Sequence, residues 1–159
     1  MKTILLLLFN VMMLNHGVPV FTLHESGEDV IFYTDCNMTE ARFTIHPYKS
    51  ENNAGVMLEL IYSLDDCLCV KIGDETPLYC PKGSLAVNTR NYNDTLLVLY
   101  QYPDRDSEIS GFSSLQQTVR IYGIEGNWLY VKAIDDQNIE CYGWIPPEMQ
   151  CFTPWTSCP

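Results

Sequence analysis

Beyond its first twenty residues, this chain holds no window of a dozen residues with a convincing helical period. Apolar runs of four to eight residues are instead bounded by clusters of Gly, Pro, Asn and Asp, the punctuation of short strands joined by turns. Val30–Tyr33, Arg42–Ile45, Val56–Tyr62, Leu68–Ile72, Leu96–Tyr100, Thr118–Tyr122 and Trp128–Ile134 read as strands. β-branched and aromatic residues dominate them, and such side chains suit a pleated, half-buried surface. At most one short helical turn is expected, near Asp106–Leu115. The expected fold class is all-β.

The N-terminus differs. Met1-Lys2-Thr3 leads into Ile4–Leu14, interrupted only by Asn10. A transmembrane helix takes about 20 apolar residues, so this run is too short to span and has the length of a secretory h-region. A signal peptide is expected over 1–17, with cleavage after Gly17 or as late as Val20. No other stretch is long and apolar enough to span a membrane, and no Cys follows before Cys36 to accept a lipid. Seven Cys in 159 residues fit an oxidising compartment. The mature chain is therefore expected to be soluble, and secreted or periplasmic. The full chain's formal charge of −11 gives no electrostatic basis for general binding to nucleic acid or to an anionic membrane.

The chain repeats itself. Ile61–Lys71 is similar to Ile121–Lys132, at an offset of 60 for Tyr62/Tyr122 and 61 after a one-residue insertion. Each copy continues through a polar turn, Gly73–Thr76 or Asp135–Asn138, to a Tyr near a Pro, in Tyr79-Cys80-Pro81 and Tyr142–Pro146. Pro47–Gly55 and Pro103–Gly111 are polar loops of matching kind upstream. The shared order implies two small β units in tandem, of about 60 residues each.

The second copy is the more informative. Val119–Lys132 reads strand, tight turn at Gly126-Asn127, strand, and the chain returns as Cys141–Pro146. Alternation puts Leu129 and Val131 on a core face, and Trp128, Tyr130 and Lys132 on the other as an aromatic shelf. This stretch resembles the bacterial SH3-like (SH3b) domain family through Gly126-Asn127-Trp128, Val131-Lys132 and Gly143-Trp144-Ile145. Leu97–Pro103 and Asp104–Gly111 match that family's opening strand and long first loop. Over the mature chain there is also a likeness to small secreted SH3 domain-containing proteins of Bacteroidetes, through Leu85–Tyr92 and the tail Met149–Pro159. The resemblance implies tandem small SH3-like β-barrels: a degenerate unit over 21–85, an SH3-like domain over 86–150, and a Cys-containing tail over 151–159. The first unit departs from the pattern, with Cys67 in the place of Trp128 and Cys80-Pro81 in the place of Gly143-Trp144.

Two disulfides are expected. Cys151 and Cys158 bracket a tail too small for a core of its own, where a crosslink is a sensible staple. A turn at Gly73–Thr76 makes Ile72 face Pro77 and sets Cys69 opposite Cys80, within disulfide reach if they form a non-hydrogen-bonded pair. Cys36, Cys67 and Cys141 remain, and an odd count leaves at least one thiol free or intermolecular. Cys67-x-Cys69 with Cys80 is not the usual zinc knuckle and has no His nearby, so no metal is expected. Asp104-x-Asp106-x-Glu108 lacks the Gly and distal Glu of a calcium loop and reads as a solvated loop tip. Neither His24 nor His46 lies in a nucleophile motif, and no P-loop or G-x-G-x-x-G occurs. Asn37-Met38-Thr39 and Asn93-Asp94-Thr95 are sequons, relevant where the source glycosylates secreted Asn.

Aromatic side chains cluster in the second unit, and amphipathic rings make good groove material. Tyr102, Trp128, Tyr130 and Tyr142 are the candidate ligand-binding residues, while Tyr100, Tyr122 and Trp144 serve equally well as barrel filling. The resemblance implies a non-catalytic module without cofactor that binds a cell-wall glycopeptide (peptidoglycan) or a peptide ligand. A structural or protein–protein interaction subunit at the cell envelope is the alternative. An enzyme is not expected, because both β units use up the chain after the leader.

Overall fold

The computed structural model describes residues 17–22, 29–46 and 56–153. Among them the strands, in chain order, are β1 Val18–Thr22, β2 Val30–Tyr33, β3 Ala41–Ile45, β4 Met57–Ser63, β5 Cys67–Ile72, β6 Glu75–Pro81 and β7 Leu85–Thr89. β8 Leu97–Tyr100, β9 Ile109–Ser113, β10 Thr118–Glu125, β11 Trp128–Ile134 and β12 Glu140–Ile145 follow. A 3-10 turn at Pro147–Met149 leads into β13 Gln150–Cys151. The described residues include no α-helix. All strands join one antiparallel sheet that does not close, in the order β3-β2-β6-β5-β4-β1-β7-β10-β11-β12-β8-β9, with β13 on β7.

The helical turn expected near Asp106–Leu115 is replaced by strand β9. Ile109 and Phe112 have helical spacing, but β9 pairs with β8, and Phe112 faces Val98. The residues just before it are held in a loop, where the Asp106 N–H donates to Asp104 Oδ1 at 2.9 Å, a local bond that competes with helix. At the N-terminus, the late cleavage position falls inside β1, whose Val18, Val20 and Phe21 are buried.

The repeat is written into the strand pairing. Across β4–β5, Glu59 faces Lys71, Leu60 faces Val70 and Tyr62 faces Cys69, with the ladder shifting at Ile61. Across β10–β11, Arg120 faces Lys132, Ile121 faces Val131 and Gly123 faces Tyr130, with the shift at Tyr122. Glu59 to Arg120 and Cys69 to Tyr130 are both steps of 61, so one offset relates every pair. The one-residue gap of the sequence comparison is therefore removed: Tyr122 stands on Ile61, and Gly123 stands on Tyr62. An irregularity also recurs between Phe32 and Tyr33 in β2–β3 and between Leu99 and Tyr100 in β8–β9. Each half thus has the same strand order, β3-β2-β6-β5-β4 and β9-β8-β12-β11-β10.

Strand β7 joins the halves. One edge pairs with β10; the other pairs with β1 through Leu85 and Ala86 and with β13 through Asn88 and Thr89. β7 closes the first half as β13 closes the second. The expected divisions at 85/86 and 150/151 fall inside β7 and β13. Leu60 and Val70 from the first half share one apolar core with Ile121, Val131 and Ile145 from the second, so the two halves are stabilised together.

The cysteines are corrected by the register. Leu68 faces Cys80 and Cys69 faces Tyr79. Directly opposed residues share a face of the sheet and successive residues do not, so Cys69 and Cys80 lie on opposite faces. Both are free thiols. The cause is the hairpin: Ile72 faces Glu75 instead of Pro77, and the irregularity between Val70 and Ile72 takes back one of those two residues, which leaves a net slip of one. Cys80 occupies the place of Ile145, which faces Leu129, and is part of the core. The place of Gly143-Trp144 is accordingly taken by Leu78-Tyr79, and not by Cys80-Pro81. The crosslink of the first half is Cys36–Cys67, which ties the β2–β3 loop to the start of β5. Cys151 is disulfide-bonded, and its expected partner, Cys158, lies outside the described residues.

Candidate functional site

The aromatic shelf is built on β11 and β12. Alternation along β11 buries Leu129, Val131 and Ala133 and leaves Trp128, Tyr130 and Lys132 half-buried on the other face. The hairpin into β11 turns at Gly126-Asn127, where Gly126 has φ +58° and nothing within 4 Å of an added Cβ. The glycine is there for its left-handed backbone, not for space. On β12, Tyr142 and Trp144 flank Gly143, opposite Lys132 and Tyr130. An added Cβ at Gly143 would lie 2.7 Å from Leu99 Cβ and 3.0 Å from the Tyr100 carbonyl oxygen. That missing side chain lets β12 pass against β8, where Trp144 faces Tyr100.

The rings form a connected row. Trp144 lies 5.4 Å from Tyr130 between ring centroids, Tyr130 stacks on Tyr142 at 6.4 Å, and Tyr142 meets Tyr122 edge-on at 5.7 Å. These are the separations at which aromatic pairs attract. Lys132 stands at the Tyr122–Tyr142 end, with Nζ 2.9 Å from Glu140 Oε1; that hydrogen bond holds its ammonium above the usual lysine range. Tyr142 is 41% exposed, so the row faces solvent there.

Of the four expected binding residues, Tyr130 and Tyr142 come together in this row. Trp128 packs edge-on against Tyr100 at 5.6 Å instead. Tyr102, 67% exposed, is carried by the β8–β9 loop, where its N–H donates to Ser107 Oγ. Tyr122 and Trp144, equally eligible as filling, complete the row. Trp144 was legible from its parity with Tyr142. Tyr122 keeps the alternation of β10, on the same parity as Arg120, which faces Lys132, and the ladder shift follows it. The acidic run in the loop is used internally: Asp104 accepts from Asp106 N–H, Glu108 Oε2 accepts from Gln101 Nε2 at 3.0 Å, and Arg105 pairs with Glu148.

The first half presents a different face at the matching positions. Tyr62, Cys69 and Tyr79 stand where Gly123, Tyr130 and Trp144 stand in the second. The Tyr62 and Tyr79 hydroxyls share a hydrogen bond of 3.1 Å. Bonds to the Cys69 thiol and to Tyr79 hold the Tyr62 hydroxyl above the usual tyrosine range, while burial raises Cys69 itself. Burial pushes the Cys80 thiol up to about 12. Cys67, in the place of Trp128, is locked in the disulfide. The row of stacked rings belongs to the second half.

No family model matches this chain, and no curated protein matches it. Among solved structures it is similar to NlpC2 from Trichomonas vaginalis, at 14% identity and TM-score 0.36, over 86% of this chain and 48% of that one. It is also similar to NlpC1 from Trichomonas vaginalis, at 14% identity and TM-score 0.37, over 93% of this chain and 50% of that one. The chain spans about half the length of these structures. No helix among the described residues is long and apolar enough to cross a membrane.

Proposed function

We propose that this chain is an exported, non-catalytic binding module of two SH3-like units, the second of which holds a cell-wall glycopeptide or peptide ligand on its aromatic shelf. The observation that carries the reading is the connected row Trp144–Tyr130–Tyr142–Tyr122 on the outer face of the second half. Rings fixed by their neighbours present apolar area and hydroxyls without losing much side-chain entropy on binding. The repeated strand order and the shared closing strand β7 support two units of one kind. The Cys36–Cys67 disulfide supports an oxidising compartment.

Co-sedimentation of the purified protein with intact peptidoglycan sacculi tests the reading. The wild-type chain pellets with the sacculi, and Tyr130→Ala and Tyr142→Ala each leave it in the supernatant while keeping the wild-type far-UV spectrum. A folded wild-type protein that stays in the supernatant, and binds no peptide released from the wall, overturns it. The second reading, an interaction subunit, draws on β9, an edge strand that exposes Ile109 and Phe112. Loss of partner crosslinking on Phe112→Ser, with sacculus binding absent, would favour it.

A further inference from the structure

The geometry points to Asn37 and Asn93 as sites of N-linked oligosaccharide. This rests on the reading of residues 1–17 as an export leader. Each Asn opens an Asn-x-Thr sequon, the acceptor motif of secreted chains. Oligosaccharide is bulky and strongly hydrated, so a folded chain accommodates it only where it points into water. Both sites meet that demand. Tyr92-Asn93-Asp94-Thr95 is a tight turn closed by Thr95 N–H donating to the Tyr92 carbonyl at 3.1 Å. Its two central residues have φ +53° and +63°, the left-handed backbone of a primed turn that Asn and Asp tolerate best among residues with side chains. Asn37 lies in the turn closed by Met38 N–H donating to the Asp35 carbonyl, also at 3.1 Å, and Met38 has φ +59°. Asn37, Thr39, Asn93 and Thr95 are all exposed.

In the transfer, the Asn amide nitrogen bonds to C1 of an oligosaccharide carried on a polyprenyl diphosphate. The C1–O bond to the diphosphate breaks, polyprenyl diphosphate leaves with the electron pair, and the amide gives up one proton. The two sites differ in consequence. Asn37 lines a cleft with Ser63, Asp65, Asp66 and Lys82 beside the Cys36–Cys67 disulfide. This cleft is the first half's counterpart of the turn that carries Trp128, since Asp65, Asp66 and Cys67 match Gly126, Asn127 and Trp128. Sugar on Asn37 therefore roofs the first half's cleft and leaves the ring row of the second half as the open face.

The experiment is secretion of the full chain, with its own N-terminal segment, from cultured eukaryotic cells. Intact mass is measured before and after peptide:N-glycosidase treatment in heavy-oxygen water, together with N-terminal sequencing. The expected result is a secreted, leader-free chain whose mass falls on treatment, with labelled Asp at positions 37 and 93. Asn37→Gln and Asn93→Gln are each expected to remove one glycan. A secreted, leader-free chain with unmodified Asn37 and Asn93 overturns this inference and leaves the export reading standing. A glycan at one position alone strikes out the other. Retention in the cell with the leader still attached overturns both.

Discussion

Thr22 and Thr89 make the same pair of hydrogen bonds in the two halves. Thr22 Oγ1 accepts from Val56 N–H at 2.9 Å while its own N–H donates to the Val56 carbonyl at 3.1 Å. Thr89 Oγ1 accepts from Gln117 N–H at 2.9 Å while its N–H donates to the Gln117 carbonyl at 2.8 Å. Both threonines are buried, at the ends of β1 and β7. Val replaces Thr with nearly the same shape but removes the acceptor of a part-buried hydrogen bond, which is worth about 0.5–1.5 kcal/mol where water can still reach the N–H. Thr22→Val and Thr89→Val are each expected to lower unfolding stability by that amount in urea. Because β7 closes one half and opens the other, each variant should still unfold in a single transition. Two separated transitions would show that the halves do not fold as one unit.

Gly143, opposite Val131, makes the tightest approach of β12 to β8. An added Cβ there would sit 2.3 Å from Ser110 Oγ, and 2.7 Å from Leu99 Cβ. The serine can rotate away, but the leucine Cβ cannot move without β8. Overpacking of this kind costs about 1–3 kcal/mol. Gly143→Ala is therefore expected to lower the urea midpoint and to disturb the Trp144 fluorescence that depends on β12 lying flat against β8. Gly123→Ala is the control. It meets its nearest neighbour at 3.4 Å and is expected to change stability by less than the Gly143 variant does.

Much of the second half was legible because its signals agree. Period-two alternation, the Gly126-Asn127 turn and β-branched residues all point to the hairpin that β10 and β11 form. Faces were therefore readable wherever the ladder is regular, as for Leu129 and Val131 against Tyr130. What stayed hidden depends on ladder irregularities, which leave no local mark in the sequence. The apparent insertion came from matching Tyr62 to Tyr122, whereas the ladders set Tyr122 on Ile61, and the shift between Val70 and Ile72 put Cys80 on the core face and away from Cys69. β1 was hidden for another reason: only Asn15-His16-Gly17 separates it from the apolar leader, so the expected cleavage range runs into it.

The thiols give a pH prediction with a definite sign. Burial raises Cys80 from about 9.0 to about 12. Between those values the unfolded chain has released the proton while the folded chain still holds it. Stability is then full below about pH 9 and falls as pH rises toward 12, by about 1.4 kcal/mol per pH unit for one such group. Tyr62, also raised in the fold, acts in the same direction above its ordinary range. The urea midpoint is expected to fall from pH 9 upward, and Cys80→Val is expected to flatten that fall. In the native protein at pH 8, a thiol reagent should reach Cys141, which is half-buried, before Cys69 and Cys80. Fast labelling of Cys80 in the folded state would contradict its place in the core.

The disulfide of the first half closes a loop between positions 31 residues apart. Crosslinks of that span stabilise typically by about 2–4 kcal/mol, largely by restricting the unfolded chain. Cys36 lies in the β2–β3 loop and Cys67 opens β5, so the bond holds in the first half the corner where Trp128 meets Tyr100 in the second. Cys36→Ala is expected to lose that stability and to leave Cys67 buried in reduced form. The ring row on β10, β11 and β12 lies in the other half, and its geometry does not depend on the crosslink. Sacculus binding by the Cys36→Ala protein, measured well below its unfolding midpoint, is therefore expected to equal the wild type. A loss of binding in the folded variant would place part of the ligand surface on the first half, beside the β2–β3 loop.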